Sequence, residues 1–269
     1  TNAYMDPKLA FARVRDELER VFALDDSISS AHACRAMLYG YHLFDWEPAE
    51  ESFRRAIELD PNWGHVKCWY AGFLGGARRL LDESALQARA AAAAEPMAPV
   101  VQTLAGVNLL NAGIDDGFTY LHRALEMDSE LPTAHHFLGF HLVNRGRYDE
   151  ALPHLERGFR SGIFLDAGML ALAGSKLGQF DRVAEIEAQL DELAENRYVS
   201  HFTRATVALA KDDLEACLDC IDAAREQGEY EVMMIECLGY LAPLRSHPRY
   251  RRHLEIMGIP EGVVVGTTD

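Results

Sequence analysis

The side chains with the most chemical potential are two cysteines, Cys217 and Cys220, and three histidines, His135, His136 and His141. A C-x-x-C pair is typical of zinc or redox sites, but zinc needs about four ligands and a redox pair opens a helix after a strand. This pair lies mid-helix, with Cys220 at an apolar position. No histidine pair has the zinc-protease spacing with a glutamate. The sequence therefore predicts no metal and no cofactor.

Other catalytic signatures are missing from the sequence. It has no phosphate-binding loop, dinucleotide glycine fingerprint, nucleophile-elbow serine, or kinase or cyclase motif. The carboxylate pairs Asp115-Asp116 and Asp212-Asp213 fall in turns before helices, where the helix dipole favours negative charge. We therefore expect a protein that is not an enzyme.

Composition restricts the class of partner. The 269 residues contain 42 acidic and 26 basic side chains, for a net charge of −16. This charge disfavours nucleic acid and anionic membrane surfaces and favours basic partners. The sequence has neither a membrane-length apolar run nor an N-terminal signal pattern. The number of cysteines is odd, at five, and this indicates free thiols in a reducing compartment. We expect a cytoplasmic protein.

The stretch 132–159 sets the organisation of the chain, because it predicts a helical hairpin. Gly146 ends the first helix, since glycine accepts the left-handed conformation of a helix C-cap. In each helix, small and large apolar residues share one face. These positions are Leu138, Gly139, Leu142, Ala151, Leu155 and Gly158.

This pattern resembles a tetratricopeptide repeat, a two-helix unit of about 34 residues. One unit cannot bury its own apolar face, so copies should flank it. The resemblance implies an all-α fold, a right-handed solenoid of helical hairpins. The other units are expected at about Ser29–Pro61, Asn62–Pro96, Ala98–Asp128, Phe164–Leu193 and Tyr198–Arg225.

We interpret residues 1–269 as a single solenoid. About six repeats fill residues 29–225, after an N-terminal helix at 6–24. Capping helices follow at 231–258, the first of them one helix over Val232–Leu241, and residues 261–269 read as a loose tail.

Two stretches are similar to a narrower group of proteins. They are Phe44-Asp45-Trp46, with the helix that follows, and Pro243-Leu244-Arg245 through Met257-Gly258-Ile259-Pro260. Both resemble the tetratricopeptide regions C-terminal to bacterial winged-helix regulators, class III adenylate cyclases and serine/threonine kinases. Those families usually carry aspartate where His247 stands. The resemblance implies an interaction or sensory segment, either cut from a longer signalling protein or a free-standing relative.

The resemblance also implies an extended ligand on the concave face formed by the first helices of the units. We expect the residues one, four and five positions after the small residue, and three before it, to face this groove. Gly72, Gly75 and Gly76 occupy the corresponding face of the third unit, where they either widen the groove or relieve packing. The predicted groove residues are Gly72, Gly76, Thr103, Val107, Asn111, His136, Phe140, Val143 and Asn144.

The recurring asparagines, Asn111 and Asn144, admit two interpretations. A carboxamide can donate to and accept from a peptide backbone. Asparagine is also common near helix C-termini for conformational reasons.

Three functional hypotheses follow. The leading one is a protein- or peptide-binding scaffold, or sensory module, of a bacterial regulatory protein, and the net charge of −16 favours a basic ligand. The second is self-association as a homodimer. The third is a small-molecule sensor domain of a larger signalling enzyme.

Overall fold

The computed structural model describes residues 7–260 and is built of helices, without strands in that range. The fold class is confirmed as an all-α solenoid of helical hairpins. The predicted tail at 261–269 and the first residue of the predicted N-terminal helix lie outside the described residues. The helices before the fifth hairpin are α1 Pro7–Leu24, α2 Ser29–Met37, a π-helical turn Leu38–Leu43, α3 Trp46–Leu59, α4 Gly64–Gly76, α5 Leu81–Ala94, α6 Pro99–Asn111, α7 Gly117–Met127, α8 Pro132–Asn144 and α9 Tyr148–Arg160.

The remaining helices complete the array and then depart from it. They are α10 Leu165–Lys176, α11 Phe180–Ala194, α12 His201–Ala210, α13 Leu214–Gln227, two 3₁₀ helices at Tyr230–Cys237 and Gly239–Leu244, and α14 Pro248–Met257. Helices α2 to α13 form six consecutive hairpins, in which the helices of each pair pack on one another.

Small residues let the two helices of a hairpin approach closely. A Cβ placed on Gly139 would lie 2.7 Å from Cγ of Leu155, and one on Gly106 would lie 2.7 Å from the Gly117 carbonyl oxygen. Alanines at similar repeat spacing take this position in the other hairpins that follow α2–α3. They are Ala71, Ala171 and Ala205, all essentially inaccessible to solvent.

The turns inside the hairpins contain a residue in the left-handed conformation. Gly146 has a φ of 69°, which confirms it as the end of its helix. Glycine adopts this conformation with the least steric strain because it has no Cβ. Only half of the hairpins have glycine at this position. The six residues are Phe44, Arg79, Gly113, Gly146, Gly178 and Asp212.

The predicted inner face of the last hairpin is wrong by one residue. Cys220 is partly exposed, whereas Cys217 and Ile221 are buried on the inner face of α13. Small residues lie on two adjacent faces of this helix. The face that also carries the larger Ile221 is the one that is buried. The turn before it is formed by Asp212 rather than glycine, so no glycine marked the register.

The expected helix over Val232–Leu241 is also wrong. The chain forms two short 3₁₀ helices interrupted at Leu238, which has φ −96° and ψ 97°. We call Tyr230–Leu244 the covering segment, because its first 3₁₀ helix contacts α4 and its second contacts α8, both of which are first helices of hairpins. It is as buried as the core: six of its apolar side chains are at most 3% exposed, namely Val232, Met233, Ile235, Leu238, Leu241 and Leu244.

Polar contacts hold both ends of this C-terminal region. Glu229, just before the covering segment, accepts hydrogen bonds from the backbone of His201 (2.8 Å) and Phe202 (2.9 Å) at the start of α12. After the segment, the Met257 carbonyl accepts from Nε1 of Trp46 at 2.8 Å. The first hairpin and the last helix are therefore in direct contact, 211 residues apart in sequence.

Candidate binding site

A cavity of about 240 Å³ lies between the first helices of the hairpins and the covering segment. Every first helix contributes to its wall, and the covering segment closes one side. The lining residues are Met37, Tyr41, His42, Cys68, Trp69, Gly72, Leu104, Val107, Asn108, Asn111, His136, Phe137, Phe140, Leu165, Met169, Phe202, Thr203, Thr206, Tyr230, Glu231, Met234, Leu238 and Tyr240.

One repeat position supplies the cavity wall in five consecutive first helices. It lies two residues before the small residue of each hairpin. The position after the small residue joins it in four of the five, since residues three apart share a helix face. The residues at the first position are Trp69, Leu104, Phe137, Met169 and Thr203.

The structure brings five of the nine predicted groove residues to this cavity. They are Gly72, Val107, Asn111, His136 and Phe140. They come from α4, α6 and α8, so three neighbouring hairpins contribute to one site, as the repeat pattern predicts.

The other four predicted residues contact the chain itself. Gly76 packs under Met233 and Met234 of the covering segment. Asn144 accepts a hydrogen bond from the backbone N–H of Tyr240 at 3.4 Å. The remaining two, Thr103 and Val143, are buried in the core.

The glycines of α4 serve close packing. A Cβ on Gly72 would lie 2.5 Å from the hydroxyl oxygen of Tyr41, and one on Gly75 would lie 3.0 Å from Oγ of Ser84. The Tyr41 hydroxyl donates to the Trp69 carbonyl at 2.6 Å across this gap. The space left by the missing side chain at Gly72 is therefore occupied by the Tyr41 side chain, and it does not enlarge the groove.

Several residues of the site carried no signal in the sequence. Tyr41 belongs to the π-helical turn, and Tyr230, Glu231 and Tyr240 belong to the covering segment. Met169 on α10 lies two residues before the small residue of its hairpin, a position that the rule of facing positions did not include. Repeat spacing could not have reached the covering segment, whose approach to the concave face depends on tertiary packing.

Several polar groups in the wall are already hydrogen-bonded to the protein. Nδ2 of Asn108 donates to the Cys68 carbonyl at 2.9 Å. The Thr206 hydroxyl donates to the Phe202 carbonyl at 3.1 Å within α12. These groups shape the cavity and have limited capacity for a ligand.

A buried histidine–aspartate pair lies in the wall. Nδ1 of His136 is 2.6 Å from Oδ1 of Asp166. Burial raises the pKa of the Asp166 carboxyl, and His136 partly offsets that effect. Gly158 of α9 leaves room for the other carboxylate oxygen. The pair joins α8 to α10 and orients the imidazole.

Glu231 is the one acidic side chain among the described residues that line the cavity. Within residues 7–260 its carboxyl makes no hydrogen bond to another side chain and no ion pair. Burial, followed by the nearby Glu229, raises its pKa to about 8. The pKa values of the neighbouring Tyr230 and Tyr240 phenols also lie well above their ordinary value, first through burial and then in part through the charge of Glu231.

The remaining reactive groups of the site are held in unreactive forms. Burial lowers the pKa of His42 to about 4 and raises that of Cys68 to about 12. The thiol is therefore a poor nucleophile at neutral pH. Within the described part of the chain, no three His, Cys, Asp or Glu side chains gather closely enough to hold a metal ion.

The two cysteines of the C-x-x-C pair are free thiols. Burial raises the pKa of Cys217 to about 12 and also raises that of Cys220. No helix within residues 7–260 combines the length and the apolar character that a membrane span requires.

Comparison with known proteins identifies the fold. No protein-family model and no curated protein sequence matches the chain. Among solved structures, PilW, a widely conserved type IV pilus biogenesis factor, matches with a TM-score of 0.53 and 23% identity, over 68% of this chain and 85% of PilW. The fold is tetratricopeptide-like. The tetratricopeptide pattern thus accounts for the six hairpins and for the wall formed by their first helices.

Two further solved structures match less closely. PilF of Pseudomonas aeruginosa has a TM-score of 0.49 and 18% identity, over 69% of this chain and 85% of PilF. YrrB, a tetratricopeptide protein with an unusual peptide-binding site, has a TM-score of 0.40 and 16% identity, over 81% of this chain and 95% of YrrB.

Proposed function

We propose that this chain is a non-catalytic repeat scaffold whose concave cavity binds a compact, largely apolar small molecule. The observation that carries the proposal is the cavity of about 240 Å³ between the repeats and the covering segment. Small-molecule sites are mostly apolar and occupy roughly 300–1,000 Å³. The volume of this cavity lies just below that range, so its ligand must be small and compact.

An extended peptide in the groove is less favourable, because the covering segment takes its place. Six apolar side chains of the segment are almost completely buried. Exposing them would cost up to about 1.5–3 kcal/mol each, or roughly 9–18 kcal/mol together. A peptide of micromolar affinity supplies only about 8 kcal/mol. A small molecule avoids this cost.

The absence of an activated nucleophile supports a binding role over catalysis. His136 is oriented by Asp166 as a general base would be. The Cys68 thiol stays protonated at neutral pH, and the Thr206 hydroxyl is engaged with its own helix. The cavity therefore offers recognition rather than covalent chemistry.

A role as a protein-interaction scaffold is the second candidate, and the tetratricopeptide-like fold favours it. The partner would bind outside the covered concave face, and the net charge of −16 favours a basic one. A sensory role in a bacterial regulatory protein is compatible with both candidates. Self-association through outer surfaces is a further version of the second candidate, and the dependence of molar mass on concentration in light scattering tests it.

Filling the cavity tests the proposed function. We expect benzyl alcohol, indole or cyclohexanol to raise the melting temperature of the protein, because a ligand of the folded state alone stabilises it. Val107→Phe adds a ring at the wall and should abolish this rise. Val14→Phe makes the same change at an exposed position of α1 and should leave it intact. The proposal is wrong if no probe stabilises the native chain, or if a folded Val107→Phe protein responds like the native one.

A further inference from the structure

Aromatic rings dominate the wall of the cavity. The first helices of the hairpins, the π-helical turn and the covering segment contribute seven of them. Some are in mutual contact, such as Phe140 and Tyr240 with ring centroids 6.1 Å apart. The face of an aromatic ring carries negative electrostatic potential and attracts cations, most strongly where water is excluded. The seven are Tyr41, Trp69, Phe137, Phe140, Phe202, Tyr230 and Tyr240.

Glu231 adds an acidic group to this aromatic wall. The neighbouring acid Glu229 accepts hydrogen bonds from Tyr198, Ser200 and the start of α12, so its charge is already satisfied. Among the described residues, the carboxyl of Glu231 has a hydrogen bond only from its own backbone N–H. Its carboxyl is therefore available to a ligand.

No basic side chain competes for Glu231 within the cavity. Neither lysine nor arginine occurs among the lining residues. His42 is neutral near neutral pH, because burial lowers its pKa to about 4. His136 is paired with Asp166. The titratable groups that face the site are Tyr41, His42, Cys68, His136, Tyr230, Glu231 and Tyr240, with Glu229 and Asp166 directly behind.

We propose that the cavity binds a compact organic cation, an amine or quaternary ammonium compound with an apolar body, whose positive charge lies against Glu231 and the aromatic rings. This inference rests on the proposed small-molecule site and adds the chemical class of the ligand. The rings hold the apolar body and the faces of the charged group, while the carboxylate balances the charge. An anion of equal size meets an acidic, aromatic wall and is excluded.

Binding of such a cation is coupled to a proton. In the empty site burial keeps Glu231 largely protonated near neutral pH, because its pKa is about 8. A cation favours the ionised carboxylate, so the proton leaves to solvent as the ligand enters. The apparent affinity for a permanently charged ammonium therefore rises with pH until Glu231 is ionised in the empty protein.

Three probes of similar shape test the charge preference by calorimetry: benzylamine, benzyl alcohol and benzoate. We expect benzylamine to bind about tenfold or more tightly than benzyl alcohol, and benzoate to bind most weakly. Glu231→Gln should remove the preference for benzylamine and leave the affinity for benzyl alcohol unchanged. Glu130→Gln, at an exposed position, is the matched control and should behave like the native chain.

A proton readout separates direct contact from a general effect of charge. With benzyltrimethylammonium, the native chain should release protons in buffers near neutral pH, and Glu231→Gln should release none. If benzylamine and benzyl alcohol bind native protein equally, or benzoate binds most tightly, the cation inference is wrong while the small-molecule site stands. If none of the three binds native protein, both proposals fail.

Discussion

Two glutamates only two positions apart have opposite environments. Glu229 is surrounded by donors, including the Ser200 hydroxyl at 2.6 Å and the backbone of Phe202 at 2.9 Å. Glu231 lies in the wall of an aromatic cavity without a donor from another side chain among the described residues. The first carboxylate stabilises the start of α12, and the second lines the cavity.

Because the pKa of Glu231 is raised, we expect this residue to make the free energy of unfolding depend on pH. The folded chain keeps a proton on this carboxyl between about pH 4.5 and pH 8, whereas the unfolded chain releases it. The contribution of Glu231 to the free energy of unfolding therefore falls as pH rises through this window. Glu231→Gln should flatten that fall, measured by urea denaturation from about pH 6 to about pH 9. Equal slopes in both proteins would contradict the environment assigned to Glu231.

At the scale of single residues, only some of the residues that line the cavity could be predicted from the sequence. The rule of facing positions found Val107, Asn111 and Phe140, because these follow from helical periodicity and one anchor glycine. It missed Trp69 and Met169, since the choice among positions on the same face depends on where the groove remains open. The covering segment fills the groove near the C-terminal ends of α4 and α8, so the cavity extends toward their N-terminal halves.

At the scale of elements, the hairpins were predictable and the covering segment was not. Small and large apolar residues at fixed spacing define each hairpin locally. The covering segment has a helix-like apolar composition, but Gly239 and Pro243 weaken a regular α-helix there. Its 3₁₀ geometry is stabilised by burial against distant hairpins, which no local pattern records.

Close approach within a hairpin can be tested with two alanine substitutions. Gly139→Ala should lower the free energy of unfolding by about 1–3 kcal/mol, because the new Cβ meets Leu155 in the facing helix. Gly174→Ala is the matched control in α10, where the nearest atom lies at 3.6 Å, an ordinary contact distance. It should raise stability by about 0.5–1 kcal/mol, since alanine favours helices. Chemical denaturation measures both, and equal effects would contradict the packing assigned to Gly139.

At the scale of the whole molecule, the array departs from a simple linear solenoid. In a linear array each repeat contacts only its neighbours. Here His42 of the first hairpin donates to the Gly228 carbonyl at 3.0 Å, and Trp46 donates to Met257. The covering segment also touches α4 and α8. Stability is therefore shared between regions that are far apart in sequence.

Removing one of these distant contacts should weaken both ends of the molecule. Trp46→Phe keeps an aromatic ring but leaves the Met257 carbonyl without its donor, at a cost of about 1–3 kcal/mol. We expect faster amide hydrogen exchange in both α3 and α14. Trp63→Phe serves as the control, because Trp63 packs on Trp69 of the following helix and should not alter exchange in α14. Faster exchange in α3 alone would show that the two ends are independent.

The position of the covering segment late in the chain also has a consequence for biosynthesis. Translation proceeds at about 5–20 residues per second, so roughly 5–20 seconds separate the synthesis of Phe140 from that of Tyr240, which packs against it. During this interval the hairpins can already fold while their aromatic concave face is still open to solvent. A nascent chain therefore presents to chaperones an aromatic surface that the covering segment covers in the finished protein.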